Sequence, residues 1–185
     1  MTDTKKARGR PRSFDKDAGL AIAQSLFNAH GYQEVSVADL CAALGVKPPS
    51  LYAAYGSKRE LFEQVMTRYL AGFYDDLSPV FAAAASPEAL RRTVLSTSIK
   101  RYCADGYGCL VLSNLNNIED PDLRAILAGV TEDSRTAMQE RLEQLGCPAQ
   151  EAQTQVMAIS VAMMGYSAAA RSGVPQAELL RTLEV

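Results

Sequence analysis

A short segment of mixed cationic, apolar and hydroxyl character, Lys47-Pro48-Pro49-Ser50 followed by Tyr52, has the side-chain types that contact nucleic acids. Lys47 can pair with a phosphate or a base edge, and Ser50 can form a hydrogen bond with either. The apolar surface of Pro48 and Pro49 suits a thymine methyl group. Tyr52 can reach a phosphate through its hydroxyl. The segment therefore predicts a DNA-reading surface.

Two nearby residues extend this surface. Tyr55 is a candidate for a further DNA contact, although an aromatic residue on so short a helix is more often packed. Lys58 falls in the first turn of the next predicted helix, where the helix N-terminus and the charge of Lys58 both favour a phosphate.

The N-terminal residues 1–13 form a predicted flexible basic arm. Arg8, Arg10 and Arg12 stand in it with only one acidic residue. Its Arg8-Gly9-Arg10-Pro11 sequence is extended and narrow, which suits an A·T-rich minor groove; a solubilising tail is the alternative. The formal net charge is −2, but the basic residues are concentrated at this end of an otherwise acidic chain.

The thiols and the imidazole offer other chemistry. The four cysteines show no C-x-x-C pairing and His30 is the only histidine, so the sequence predicts no metal site, no cofactor and no disulfide framework. Cys103 and Cys109 could sense oxidants or electrophiles, because Lys100 and Arg101 lie close enough in sequence to lower the pKa of a thiol. Purely structural thiols are the alternative.

The sequence does not show a group of residues suited to catalysis. A nucleophile with a base, a pair of carboxylates or a metal cluster would be required, and the acidic residues are scattered over helical surfaces. His30 is predicted at a helix C-terminus, where a cation complements the helix dipole. We therefore expect a protein that is not an enzyme.

Two helix starts position the candidate DNA contacts. Ser36 with Asp39, and Ser57 with Glu60, are Ser-x-x-acid pairs that predict capping boxes. Gly45 is placed to end the first helix in a left-handed conformation. The two prolines are acceptable only in a first turn, so the recognition helix must begin near Lys47. This is the pattern of a helix-turn-helix.

The segment GVKPPSLYAAYGSKRELF closely resembles the DNA-binding domain of the TetR/AcrR family of bacterial transcriptional regulators, and the resemblance covers residues 14 to about 66. It implies DNA contacts at the start of the second helix, in the recognition helix and just beyond it. Those positions are Ser36, Lys47, Pro48, Pro49, Ser50, Tyr52 and Lys58. Val37 and Ala38 stand where family members often carry polar or basic groups, which shifts base reading towards the recognition helix and the arm.

The expected fold class is all-α. An N-terminal three-helix helix-turn-helix domain, residues 14–56, is followed by a C-terminal helical domain for effector binding and dimerisation, residues 57–185. Helical spacing predicts one long helix over 57–77, then helices beginning at Pro87, Pro121, Ala149 and Gln176. The apolar CLVLSNLNNI segment is assigned to a helix because no second strand-like segment exists for it to pair with.

The penultimate predicted helix, 149–171, is apolar on nearly every side and rich in small residues, so it must be buried on more than one side. The resemblance implies a homodimer whose last two helices form a four-helix interface, binding a near-palindromic DNA site. The predicted interface residues are Val156, Ile159, Ala162, Met163, Tyr166 and Ala170.

The resemblance also implies a pocket for a small-molecule effector whose binding releases DNA, which would make the protein a repressor. The few charges in the region favour a neutral or aromatic effector. Candidate lining residues are Tyr69, Phe73, Tyr102, Tyr107, Cys109, Asn114, Met138 and Tyr166.

Composition limits the remaining classes. Apolar residues make up 48% of the 185-residue chain, which favours a folded body, and no apolar run approaches the roughly 18 residues of a membrane span. No secretory signal is apparent, so we expect a cytoplasmic protein without membrane contact. A helical protein-interaction module that does not bind DNA is the alternative from a different class.

Overall fold

The computed structural model describes residues 15–115 and 117–184, and within those ranges it is helical without any strand. The helices are α1 (Lys16–His30), α2 (Val37–Leu44), α3 (Pro48–Tyr55), α4 (Lys58–Ala83), α5 (Pro87–Ala104), α6 (Leu110–Leu115), α7 (Pro121–Gln144), α8 (Ala149–Arg171) and α9 (Gln176–Arg181). The all-α prediction is confirmed, and so is the assignment of the CLVLSNLNNI segment to a helix.

Short side chains fix the starts of α2 and α4. The Ser36 hydroxyl accepts a hydrogen bond from the Asp39 amide, and the Asp39 carboxylate accepts one from the Ser36 amide. Ser57 and Glu60 make the same reciprocal pair. Both capping boxes predicted from the sequence are confirmed. Each satisfies amides that a helix otherwise leaves without a partner.

The first three helices pack on the start of α4. Phe27 and Phe62 are fully buried and meet edge to face, with ring centroids 5.1 Å apart. Leu40 of α2 and Leu51 of α3 are also fully buried. Because Phe62 belongs to α4, the core of this N-terminal unit runs without a break into the core of the remaining helices.

Helix α4 is longer than predicted. The expected end at residue 77 is wrong, because the helix continues to Ala83 and includes Pro79. A proline inside a helix removes one backbone hydrogen bond and clashes with the preceding turn. The apolar residues Leu77 and Phe81 pack against the core, and this burial offsets the local cost.

The other helices form a layered bundle around α5 and α8. Leu90 and Ile99 of α5 and Leu142 of α7 are fully buried, and Ile159 of α8 is 1% exposed. The short α6 lies between this bundle and α1. Among the described residues no helix is long and apolar enough to cross a membrane.

Candidate nucleic-acid interface and effector cavity

The first turn of α3 is presented to solvent. Lys47 is the N-cap residue and Pro48 and Pro49 occupy the first helical positions, as predicted. Lys47, both prolines and Ser50 are all exposed. On the opposite side, Leu51 is fully buried and fixes the helix to the core. A cation, an apolar surface and a hydroxyl are thereby held together on one short, anchored turn.

The two tyrosines of α3 separate into different roles. Tyr52 is 49% exposed and lies next to the solvent-facing turn. Tyr55 is only 3% exposed, and its hydroxyl donates a hydrogen bond to the Lys16 carbonyl at 2.8 Å. The proposed DNA contact by Tyr55 is therefore wrong, because its phenol joins α3 to α1 instead.

Lys58 and Ser36 lie at helix starts, where the sequence placed them. The Lys58 ammonium is 4.3 Å from the centre of the Tyr32 ring, and its partial burial lowers its pKa. Ser36 is exposed, but its hydroxyl donates to the Asp39 carboxylate at 2.6 Å. Lys58 can keep its contact with the Tyr32 ring and still donate to a phosphate, since its ammonium has three N–H groups. Arg8, Arg10 and Arg12, the predicted groove contacts, lie outside the described residues.

A set of polar links joins the C-terminal end of α1 to the rest of the bundle. Arg171 of α8 donates hydrogen bonds to the carbonyls of Asn28 and Ala29 at 3.1 and 3.0 Å. It also donates to the Tyr107 carbonyl at 3.3 Å. Asn114 of α6 accepts a hydrogen bond from the Tyr32 amide at 2.8 Å. Sequence reasoning missed these links, because the partners are 64 to 143 residues apart.

A cavity of about 260 Å³ lies between α4, α5, α6, α7 and α8. Its lining is mostly apolar, and among the described residues Arg135 is the only charged side chain that lines it. The lining includes Tyr69, Phe73 and Tyr74 of α4, Tyr102 of α5, Cys109 before α6, and Met138 of α7. Tyr69 and Tyr102 are 4% and 0% exposed, whereas Tyr74 is 40% exposed. The cavity therefore has a closed inner end and an open end.

Five of the predicted effector-pocket residues line this cavity: Tyr69, Phe73, Tyr102, Cys109 and Met138. The other three predicted residues, Tyr107, Asn114 and Tyr166, do not line this cavity. Tyr107 is exposed, and the buried Asn114 bonds to the Tyr32 amide. The Tyr166 hydroxyl is 2.6 Å from that of Thr182. Met163, assigned from the sequence to the dimer interface, lines the cavity, as does its neighbour Met164.

The inner end of the cavity holds two phenol groups without hydrogen-bond partners. The hydroxyls of Tyr69 and Tyr102 are both buried, and neither has a partner among the described residues. Burial raises the pKa of both phenols, and the nearby Cys109 thiol raises it further. Both groups are thus held in the protonated form, in which they can donate a hydrogen bond.

Cys103, one of the two cysteines proposed as sensors, does not have the expected environment. Burial raises the pKa of Cys103, so the predicted activation by Lys100 and Arg101 is wrong. The Arg101 guanidinium instead pairs with Asp76 at 2.6 Å. Across residues 15–115 and 117–184, no group of three or more His, Cys, Asp or Glu side chains is arranged to hold a metal ion.

Helix α8 has an exposed apolar strip that differs from the predicted dimer face. Val156, Ile159 and Ala170 are 1–5% exposed and pack inside the protomer, so their assignment to an interface is wrong. Between positions 156 and 170, the exposed apolar and small residues of α8 are Met157, Ala158, Val161, Met164, Gly165 and Ala168. The error is one of helical phase, because a helix that is apolar all round does not reveal which face its own chain covers.

Comparison with known proteins places these features in context. The family model for bacterial regulatory proteins of the tetR family matches residues 20–65. The HTH-type transcriptional repressor BdcR of Escherichia coli (strain K12) is 33% identical over 177 residues, which cover 94% of this chain and 88% of that protein. The HTH-type transcriptional repressor ComR of the same organism is 37% identical over 150 residues, covering 79% and 70%.

Solved structures agree with the sequence relatives. A cysteine mutant of the TetR family transcriptional regulator CifR, complexed with 26-base-pair double-strand operator DNA, superposes with a TM-score of 0.83 at 30% identity. The match covers 95% of this chain and 96% of that one. A second cysteine mutant, also complexed with operator DNA, gives a TM-score of 0.84 at 29% identity.

Proposed function

The chain belongs to the TetR family of bacterial regulatory proteins, and we propose that it is a repressor whose α3 reads an operator and whose α4–α8 cavity binds the releasing effector. Sequence-specific DNA binding through a helix-turn-helix is the function of the family. For this chain we propose which residues contact DNA, and we propose that the DNA-binding domain ends at residue 56.

The observation that supports the DNA contacts is the exposed first turn of α3. Lys47, Pro48, Pro49 and Ser50 project together from a helix anchored by Leu51, and Tyr52 extends the same surface. Lys47 supplies the charge that a phosphate or a guanine edge requires. Ser36 and Lys58 flank this turn, and the arm with Arg8, Arg10 and Arg12 completes the proposed contact set.

The proposed homodimer uses the exposed strip of α8 that contains Met157, Val161 and Met164. These side chains are 39–60% exposed, and a contiguous apolar strip of this kind favours association. A two-fold dimer in the cytoplasm would place two copies of α3 about one DNA turn, roughly 34 Å, apart on a near-palindromic operator.

The proposed effector site is the cavity, because α4 connects it directly to the DNA-binding unit. Helix α4 begins beside α3 at Lys58 and reaches the cavity at Tyr69 and Phe73. A molecule bound there contacts the same helix whose first turns pack on α1. The alternative of thiol sensing loses its premise, since the pKa of Cys103 is raised. The alternative of a DNA-free interaction module conflicts with the repressor relatives.

Selection of bound duplexes from a random pool, followed by titration of one selected duplex at several salt concentrations, tests the proposal. We expect a near-palindrome, and Lys47→Ala should reduce the slope of log affinity against log salt by about 0.9, because one phosphate contact is lost. Lys100→Ala is the matched control, since Lys100 is exposed on α5 away from α3. Equal slopes for the two variants would remove Lys47 from the interface.

A further inference from the structure

The two buried phenols at the inner end of the cavity point to the chemical class of the effector. The Tyr69 and Tyr102 side chains are at least nine-tenths buried, and both hydroxyls lack a partner among the described residues. A buried donor left unpaired costs about 1–3 kcal/mol. Two such donors at the end of one cavity are therefore expected to be satisfied by what the cavity binds.

Among the described residues, the groups around these hydroxyls do not meet hydrogen-bond geometry with them. The Cys109 thiol lies near both phenols, but sulfur is a weak hydrogen-bond acceptor. The Leu110 amide near Tyr69 can only donate, and the Ser98 hydroxyl near Tyr102 is itself without a partner in the described part of the chain. Three other hydroxyl side chains of the lining already donate within their own helices. The hydroxyls of Thr131, Ser134 and Ser160 each donate to a backbone carbonyl of their own helix at 2.8–2.9 Å.

We infer that the effector is a compact, mainly apolar molecule carrying an uncharged oxygen acceptor, such as a carbonyl or ether oxygen, which receives hydrogen bonds from Tyr69 and Tyr102. This inference rests on the proposed function of the cavity. The volume of about 260 Å³ lies just below the usual range of 300–1,000 Å³ for ligand sites, which selects a small molecule.

The charges near the cavity favour a neutral acceptor over an anion. Arg101 lies over the Tyr69 ring, but its guanidinium is paired with Asp76 at 2.6 Å and does not line the cavity. Arg135 does line the cavity; its side chain is 30% exposed and 3.5 Å from the Glu132 carboxylate. Water therefore screens Arg135. An anion at the inner end would be desolvated without a free cation to pair with.

Three probes of similar shape separate these chemistries. Ethylbenzene offers only apolar surface, acetophenone adds a neutral carbonyl oxygen, and benzoate adds a charge. Calorimetry with the full chain and no DNA should show acetophenone binding about tenfold to thirtyfold more tightly than ethylbenzene, because each of the two added hydrogen bonds contributes about 1 kcal/mol net. Equal affinities, or no binding of either probe at millimolar concentration, would overturn the inference.

Removal of single oxygen atoms identifies the donors. Tyr69→Phe and Tyr102→Phe should each lower acetophenone affinity about threefold to fivefold and leave ethylbenzene affinity unchanged, and the double variant should abolish the preference. Tyr74→Phe is the matched control, because Tyr74 lines the same cavity but its hydroxyl lies 3.3 Å from that of Ser134. A preference that persists in the double variant would contradict the assignment.

Two further measurements test whether the Tyr102 hydroxyl lacks a partner in the free protein and whether the cavity prefers a neutral acceptor to an anion. Without ligand, Tyr102→Phe should melt at or above the temperature of the unaltered protein, because it deletes an unpaired buried hydroxyl; a lower Tm would mean that the hydroxyl has a partner, and would overturn the inference. If benzoate binds more tightly than acetophenone and ethylbenzene, and Arg135→Gln removes that difference, the effector is an anion and the inference is overturned. Release of the selected duplex, followed separately by anisotropy, tests the proposed repressor function alone.

Discussion

The proposed DNA surface and the effector cavity are built in opposite ways. The surface occupies one turn of the eight-residue α3, with its main side chains between Lys47 and Tyr52. The cavity draws its lining from five helices, between Tyr69 and Met164. The first depends on local caps and on one buried anchor, whereas the second exists only after distant helices have packed. The two regions should therefore respond differently to the same kind of substitution.

Truncation of an aromatic side chain is expected to give the largest difference. Phe27 is fully buried beneath the DNA-binding unit, so Phe27→Ala should lower the free energy of unfolding by about 3–5 kcal/mol. Phe73 already faces the cavity on one side and has fewer contacts to lose, so Phe73→Ala should cost less than half as much. Urea unfolding measures both. Equal losses would indicate that the cavity is closed in solution.

Alanine substitutions at two glycines compare a site held by local contacts, Gly56, with a site held by a distant helix, Gly108. Both have positive φ, so each substitution strains the backbone by about 1–2 kcal/mol. A Cβ at Gly56 would meet the Glu60 side chain, which can rotate away, whereas one at Gly108 would lie 2.6 Å from the Ser167 backbone oxygen of α8. We expect Gly108→Ala to lower Tm more than Gly56→Ala does. The reverse order would mean that α8 yields more readily than the capping box of α4.

The smallest expected effect is the pH dependence of the α2 cap. Hydrogen bonds from Ser36 lower the pKa of Asp39. A carboxyl group whose pKa is lower in the native state stabilises it above the unfolded value of about 3.9, and the stabilisation is lost as the pH falls through the native pKa. The stability difference between the unaltered protein and Asp39→Asn should therefore shrink as the pH falls below about 4. A difference independent of pH would exclude this linkage.

Sequence reasoning succeeded where structure is local. Capping pairs, the prolines of α3 and the glycines after α2 and α3 act over a few residues, so they located the helix-turn-helix correctly. The all-α class followed from helical spacing for the same reason. The end of α4 was wrong because packing of Phe81 overrides the usual effect of Pro79.

The candidate sites show the same limit. Tyr55 and Tyr52 stand three residues apart on α3, yet only the three-dimensional contacts reveal that one phenol is buried against Lys16. The inward and outward faces of α8 could not be separated, because both are apolar. Asn114 was predicted for the pocket, although its partner Tyr32 lies 82 residues earlier in the chain.

The paired prolines at the start of α3 also determine how this helix can bind an anion. A helix N-terminus ordinarily offers free backbone amides to a phosphate. In α3, Pro48 and Pro49 have no N–H, and the amides of Ser50 and Leu51 both donate to the Lys47 carbonyl at 2.9 and 3.1 Å. From Pro48 to Leu51, no backbone N–H remains free for DNA. The selectivity of this turn must therefore come from side chains, which makes operator preference unusually easy to alter by substitution at a few positions.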